Sequence, residues 1–80
     1  MEDREIRLRG FLSCYLPVTH LGTDDDFFAS GLATSLFAMQ IVLFVEQEFG
    51  VVVEDDDLDL ENFNTVRGIL RFVERKQAAA

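Results

Sequence analysis

Eighty residues, 49% of them hydrophobic, make one domain near the lower limit at which a chain buries enough surface to fold alone; that is too little for a deep substrate cleft and too apolar for disorder. Fifteen acidic against seven basic side chains, a net charge of −8, repel nucleic-acid phosphates and anionic lipid and favour basic protein surfaces as partners. One cysteine, Cys14, and one histidine, His20, exclude an internal disulfide and a transition-metal centre.

The charged start "MEDREIRLRG" lacks the apolar stretch of a signal peptide, and the longest apolar run, Ile41 to Val45, is too short to cross a bilayer. A cytoplasmic monomer with no membrane or nucleic-acid partner is expected. No segment alternates with period two for long enough to build a sheet, whereas the helical period occurs three times. Leu8, Phe11, Leu12, Tyr15 and Leu16 predict a first helix from Asp3 to Leu16, stopped by Pro17. Cys14, within it, is expected to act as a semi-buried small hydrophobe. Residues 17–34 form a connection long enough to suggest function. In it, Phe27, Phe28 and Leu32 are expected to fold back onto the core through a turn begun by Asp24 to Asp26.

A second helix is predicted from Ser35 to Phe49, with Thr34 as its N-cap and Gly50 as the left-handed residue that ends it. In "VVVEDDDLDLENF" the valines favour extended chain, and Asp55 is expected to cap a short helix pinned by Leu58, Leu60 or Phe63. The last helix, Thr65 to Lys76, carries Val66, Ile69, Leu70 and Val73 at helical spacing, with Asn64 or Thr65 as cap. Arg71, Arg75 and Lys76 stand where positive charge suits the helix dipole. Residues 77–80 are expected to fray. The expected fold is all-α: a small four-helix bundle of three main helices and one short one, a single domain over residues 1–80.

On the second helix, Leu36, Ala38, Ile41, Val42, Val45 and Phe49 can face a core together, while Phe37, Met39, Leu43 and Phe44 fall on other faces. A helix apolar nearly all round is either buried on every side or meets a partner. Phe37, Met39 and Leu43 are therefore expected to form an exposed docking surface, the alternative being an unusually tight bundle.

Ser35 opens this helix. A catalytic serine needs a general base and an oxyanion hole; the single histidine lies in the loop, "ATSLF" lacks both glycines of a nucleophile elbow, and no lysine follows at the third position. A capping role competes with Thr34. As the acceptor of a phosphate ester the serine suits its place, because a helix N-terminus offers unpaired N–H groups and partial positive charge. The acidic runs do not make a calcium loop: counted from Asp55, Leu60 and Val66 occupy the sixth and twelfth positions, and from Asp24 the fifth is Phe28.

With these residues in view, "DDDFFASGLATSLFAMQIVLFVEQEFG" resembles the acyl carrier protein family, whose signature is a serine at the start of the second helix in a Gly-x-Asp-Ser-Leu type motif. The likeness extends through the first helix, the long loop, "VEQEFGV", the acidic stretch and "NTVRGILRFV". It implies that Ser35 carries 4′-phosphopantetheine, an arm whose thiol holds acyl groups as thioesters. It also implies a separate phosphopantetheinyl transferase that installs the arm from coenzyme A, and a carrier in place of an enzyme.

Thr34 stands where the family usually has Asp, and Phe37 and Gln40 stand where charge is frequent. The resemblance thus places partner docking on Leu36, Phe37, Met39, Gln40 and Leu43, with Glu46 and Glu48 supplying charge. Among subgroups, the chain looks most like free-standing carriers of methoxymalonyl-type polyketide extender units, which are served by acyl-loading, dehydrogenase, methyltransferase and acyltransferase-type enzymes. The D-alanyl carriers of teichoic acid modification are the alternative within the family. An unmodified acidic helical interaction module is the alternative outside it.

Overall fold

The computed structural model describes residues 3–15, 22–29, 31 and 34–79. Three α-helices form the body: α1 (Asp3–Leu12), α2 (Ser35–Phe49) and α3 (Val66–Ala79). The expected fourth helix is instead two single 3-10 turns, Asp55–Asp57 and Leu60–Asn62, and there is no strand among the described residues. Leu16, Pro17, His20 and Leu32 lie outside the described residues.

α1 ends four residues earlier than its apolar spacing suggests. After Leu12 the backbone tightens, Cys14 N–H donating to the Phe11 carbonyl and Tyr15 N–H to that of Leu12, an i to i−3 pattern that ends the helix within one turn. The turn leaves Cys14 exposed, its thiol directed at the Gly10 carbonyl, so it is not the semi-buried hydrophobe expected.

Both caps of α2 are where the sequence puts them. Thr34 is extended, and its Oγ1 accepts from the Phe37 N–H at 3.4 Å, a long bond. Gly50 sits at φ 66°, where a Cβ would be strained, and its N–H closes on the Glu46 carbonyl. Thr65 rather than Asn64 caps α3, its hydroxyl accepting from the Gly68 N–H at 2.9 Å. Asn64 is used differently: its side chain donates to Asp26 and its carbonyl accepts from the Phe27 N–H, which ties the long connection to the start of α3. Asp26 also accepts from the Phe28 and Ala29 N–H groups, the turn expected there.

The core is aliphatic and phenylalanine-rich. Leu8, Leu12, Phe27, Ile41, Val45, Val66, Ile69, Phe72 and Val73 are fully buried, and no polar side chain is buried among the described residues. Each such side chain contributes roughly 1.5–3 kcal/mol by leaving water. α3 continues through Ala79, past the predicted end at Lys76, so residues 77 to 79 are not the frayed tail expected; Gln77 Nε2 donates to the Phe49 carbonyl and holds this last turn to the end of α2.

Candidate functional site

Ser35 is the first helical residue of α2 and is exposed. Capping falls to Thr34, so Ser35 stands at the positive end of a fifteen-residue helix without being its cap. The first turn of α2 contains no acidic residue.

Residues three, four and seven positions along a helix share a face, so Ser35 heads the stripe Ala38, Met39 and Val42. That stripe forms one side of an apolar groove of about 230 Å³; Leu58, Leu60 and Phe63 form the other. Of the three residues expected to pin the acidic segment, Phe63 is buried, whereas Leu58 and Leu60 are each 54% exposed. The groove was not legible in the sequence because its outer wall, "DLDLENF", reads as a solvated acidic run. Leucines placed between its aspartates are the available signal.

Beside the groove, Leu36, Met39 and Leu43 are exposed and follow one another along α2. Gln40, half-buried, and Leu43 also line a second, more open depression with Phe11, Tyr15, Phe44 and Gln47. Leu36 belongs to this outer face and not to the core side where the helical wheel allowed it. The expected exposure of Phe37 is overturned: it is buried at 8%, stacked on Phe11 at 6.0 Å between ring centroids and against Tyr15 at 5.2 Å. Phe44 stacks on Phe11 at 4.2 Å. α2 therefore buries a second stripe, against α1, which a wheel with one core face does not anticipate.

Glu46, expected to meet partners, is half-buried and accepts from the Val53 N–H at 2.9 Å, fastening the chain that leaves α2. Glu48 is exposed. No lysine or arginine lies between Arg9 and Arg67, so the chain that builds the Ser35 side of the molecule is of one sign and steers basic surfaces towards it.

The acidic runs are largely engaged within the fold. Asp24 pairs with Arg67, whose hydrogen bond holds the carboxyl below its ordinary pKa and raises that of the guanidinium. Asp57 accepts from Lys76 and from the Glu54 N–H, and both bonds lower its pKa, the lysine contributing more. The expected Asp55 cap gives way to this pairing of Glu54 with Asp57. Among the described residues no group of three or more His, Cys, Asp or Glu is placed to hold a metal ion, and no helix is long and apolar enough to cross a membrane.

Comparison with known proteins decides the family. The family described as "Phosphopantetheine attachment site" matches residues 9–73. Acyl carrier protein 2 of Pseudomonas aeruginosa is 34% identical over 76 residues, covering 92% of this chain and 94% of that protein. The chain belongs to the acyl carrier protein family.

As an acyl carrier protein it takes 4′-phosphopantetheine covalently and is served by a phosphopantetheinyl transferase and acyl-handling enzymes. The residues present fit that group: an exposed hydroxyl at a helix N-terminus suits a phosphodiester, and an apolar groove opens on the same helix face.

Proposed function

We propose that Ser35 is the residue to which the 4′-phosphopantetheine is attached. The supporting observation is its exposed position at the start of α2 with the capping role taken by its neighbour. In the attachment reaction the Ser35 oxygen bonds to the phosphorus of coenzyme A that bears pantetheine, and the pyrophosphate P–O bond breaks. Adenosine 3′,5′-bisphosphate leaves, and the hydroxyl proton passes to the transferase or to solvent. When bound, the group supplies a thiol on a flexible arm, the point at which acyl cargo is carried. The chain's own part is to present that point on a rigid helix and to give visiting enzymes a surface to recognise.

That surface is Leu36, Met39 and Leu43, with Gln40 at its edge and Glu48 supplying charge. Phe37 and Glu46 support it from within.

For cargo, the reading favoured is a free-standing cytoplasmic carrier for methoxymalonyl-type extender units of polyketide assembly, partnered by acyl-loading, dehydrogenase, methyltransferase and acyltransferase-type enzymes. Its support is the sequence likeness in "SLFAMQ" and "DLDLENF", together with a partner face that is apolar where carriers are often charged. A D-alanyl carrier is the alternative.

Incubation with coenzyme A and a broad transferase is expected to add the mass of one phosphopantetheine to the wild type and nothing to Ser35→Ala. Parallel loading with a glycolytic three-carbon acid and with D-alanine, each with its cognate loading enzyme, then separates the cargo readings. Loading by the D-alanine ligase alone would overturn the extender-unit reading.

A further inference from the structure

The two sides of the groove below Ser35 are held in different ways. Ala38, Met39 and Val42 belong to a helix fixed by the core. Leu58 and Leu60 belong to a segment whose two 3-10 turns bury no side chain. Polar contacts with the last turns of α3 hold that segment to the body. Lys76 Nζ donates to Asp57 and, at 3.1 Å, to Glu54, while lying 5.8 Å from the Phe72 ring centroid. Arg75 donates to Asn62 Oδ1 at 3.3 Å, and Asn62 Nδ2 donates to the Asp57 carbonyl at 2.9 Å. Asp57 is thus the centre of the attachment and Lys76 its charged partner. The lysine is itself set in place, because α3 runs beyond it and Gln77 is bonded to the Phe49 carbonyl.

We infer that Lys76 is the latch of this groove: through Asp57 and Glu54 it holds the Leu58–Leu60 wall against α2, and so it sets how large an apolar cargo the groove accepts. The occupant is the apolar end of whatever is carried at Ser35, which stands one turn from Ala38 and Met39 on the same face. In this respect the inference rests on the carrier reading. The groove's volume of about 230 Å³ exceeds the roughly 150 Å³ of an apolar cavity known to take up benzene, so a small apolar group fits with the latch closed. A longer one needs the wall to move. Moving Leu58 and Leu60 breaks charge-assisted bonds and displaces no buried side chain of the two turns, which makes this part of the wall the softer side.

Amide hydrogen exchange on the unmodified protein tests the latch without the prosthetic group. In Lys76→Met the N–H groups of Leu58, Asn62 and Phe63, which close the two turns, are expected to exchange about two- to five-fold faster, the scale of a partly exposed ion pair. Those of Val45 and Phe49 in α2 are expected to keep their rates. Lys76→Arg, which retains the charge, is expected to stay near wild type and guards against a packing effect of the shortened stem. Unchanged exchange in residues 54–63 of Lys76→Met, or the same acceleration in α2, would overturn the latch.

The second arm uses protein loaded with straight-chain acyl groups of increasing length, with the Met39 methyl resonance as reporter. Lys76→Met is expected to extend the range of lengths that shift it, and an identical range in both proteins would overturn the role in cargo size. Failure of the carrier reading shows separately, as absence of any mass gain with coenzyme A, and leaves the exchange result standing.

Discussion

α2 and the segment from Glu54 to Asn62 face each other across one groove and are stabilised by opposite means. α2 buries Phe37, Ile41, Val42, Val45 and Phe49 and stacks two phenylalanines on Phe11. The segment buries nothing and depends on Lys76, Arg75 and the turn bonds of its own aspartates. A hydrophobic stretch thus becomes a rigid platform for Ser35, and a shorter acidic stretch becomes an adjustable rim. Burial of apolar area carries no titrating group and no Debye screening, while surface charge is sensitive to both pH and ionic strength, so the two walls differ in how they respond to perturbation.

The largest effect is expected from substitutions in the platform. Phe37→Glu places a carboxylate between Phe11 and Tyr15. Buried charge without a partner shifts folding by several kcal/mol, and a domain of this size has only about 5 kcal/mol in hand, so this variant is expected to lose cooperative unfolding in a denaturant titration. Val45→Ala is expected to cost about 1–4 kcal/mol, since a fully buried side chain leaves a cavity.

At Gly68 a Cβ would lie 2.9 Å from the Glu61 carbonyl oxygen. Gly68→Ala is therefore expected to lower stability by about 1–3 kcal/mol, within the range of overpacked sites, despite alanine's better helix propensity. A rise in Tm for that variant would show that the segment yields more readily than its contacts with α3 suggest.

On the exposed side of α2, Leu36→Glu and Leu43→Glu are expected to stay within about 0.5 kcal/mol of wild type. Both are expected to slow transfer of cargo to partner enzymes, measured as kcat/KM for the carrier.

The smallest effect belongs to the rim. Asp57 has a folded pKa below its ordinary 3.8, so its contribution is present above pH 3.8 and is lost as pH falls through the lower folded value. Lys76 has a folded pKa above 10.5; its contribution is present below pH 10.5 and is lost as pH rises through the folded value. Between these limits the exchange rates of residues 54–63, corrected for intrinsic chemistry, are expected to be flat, and to rise outside them before those of α2 do.

The extent to which the sequence foretold this molecule follows the same division. Thr34, Gly50 and the periodic Val66, Ile69 and Val73 were legible because caps and apolar spacing act locally. Phe37 was not, because one helix packing on two neighbours needs two buried stripes, and only the position of α1 tells which residues form the second. The end of α1 was obscured in a related way: Tyr15 keeps the apolar spacing and still packs on Phe11, although the backbone there has left the helix. The acidic segment was legible as charge but not as structure, since its geometry is fixed by Lys76 and Arg75, partners distant along the chain. Ser35 itself was singled out through its position and a family likeness, and its role as attachment point is a proposal. Nothing in the packing required a serine there.

The attachment role of Ser35 is tested most directly by locating the group added by a phosphopantetheinyl transferase, read by fragmenting the modified peptide that spans Thr34 and Ser35. The whole added mass is expected on Ser35. The same mass on Thr34, or on a peptide without Ser35, would contradict it.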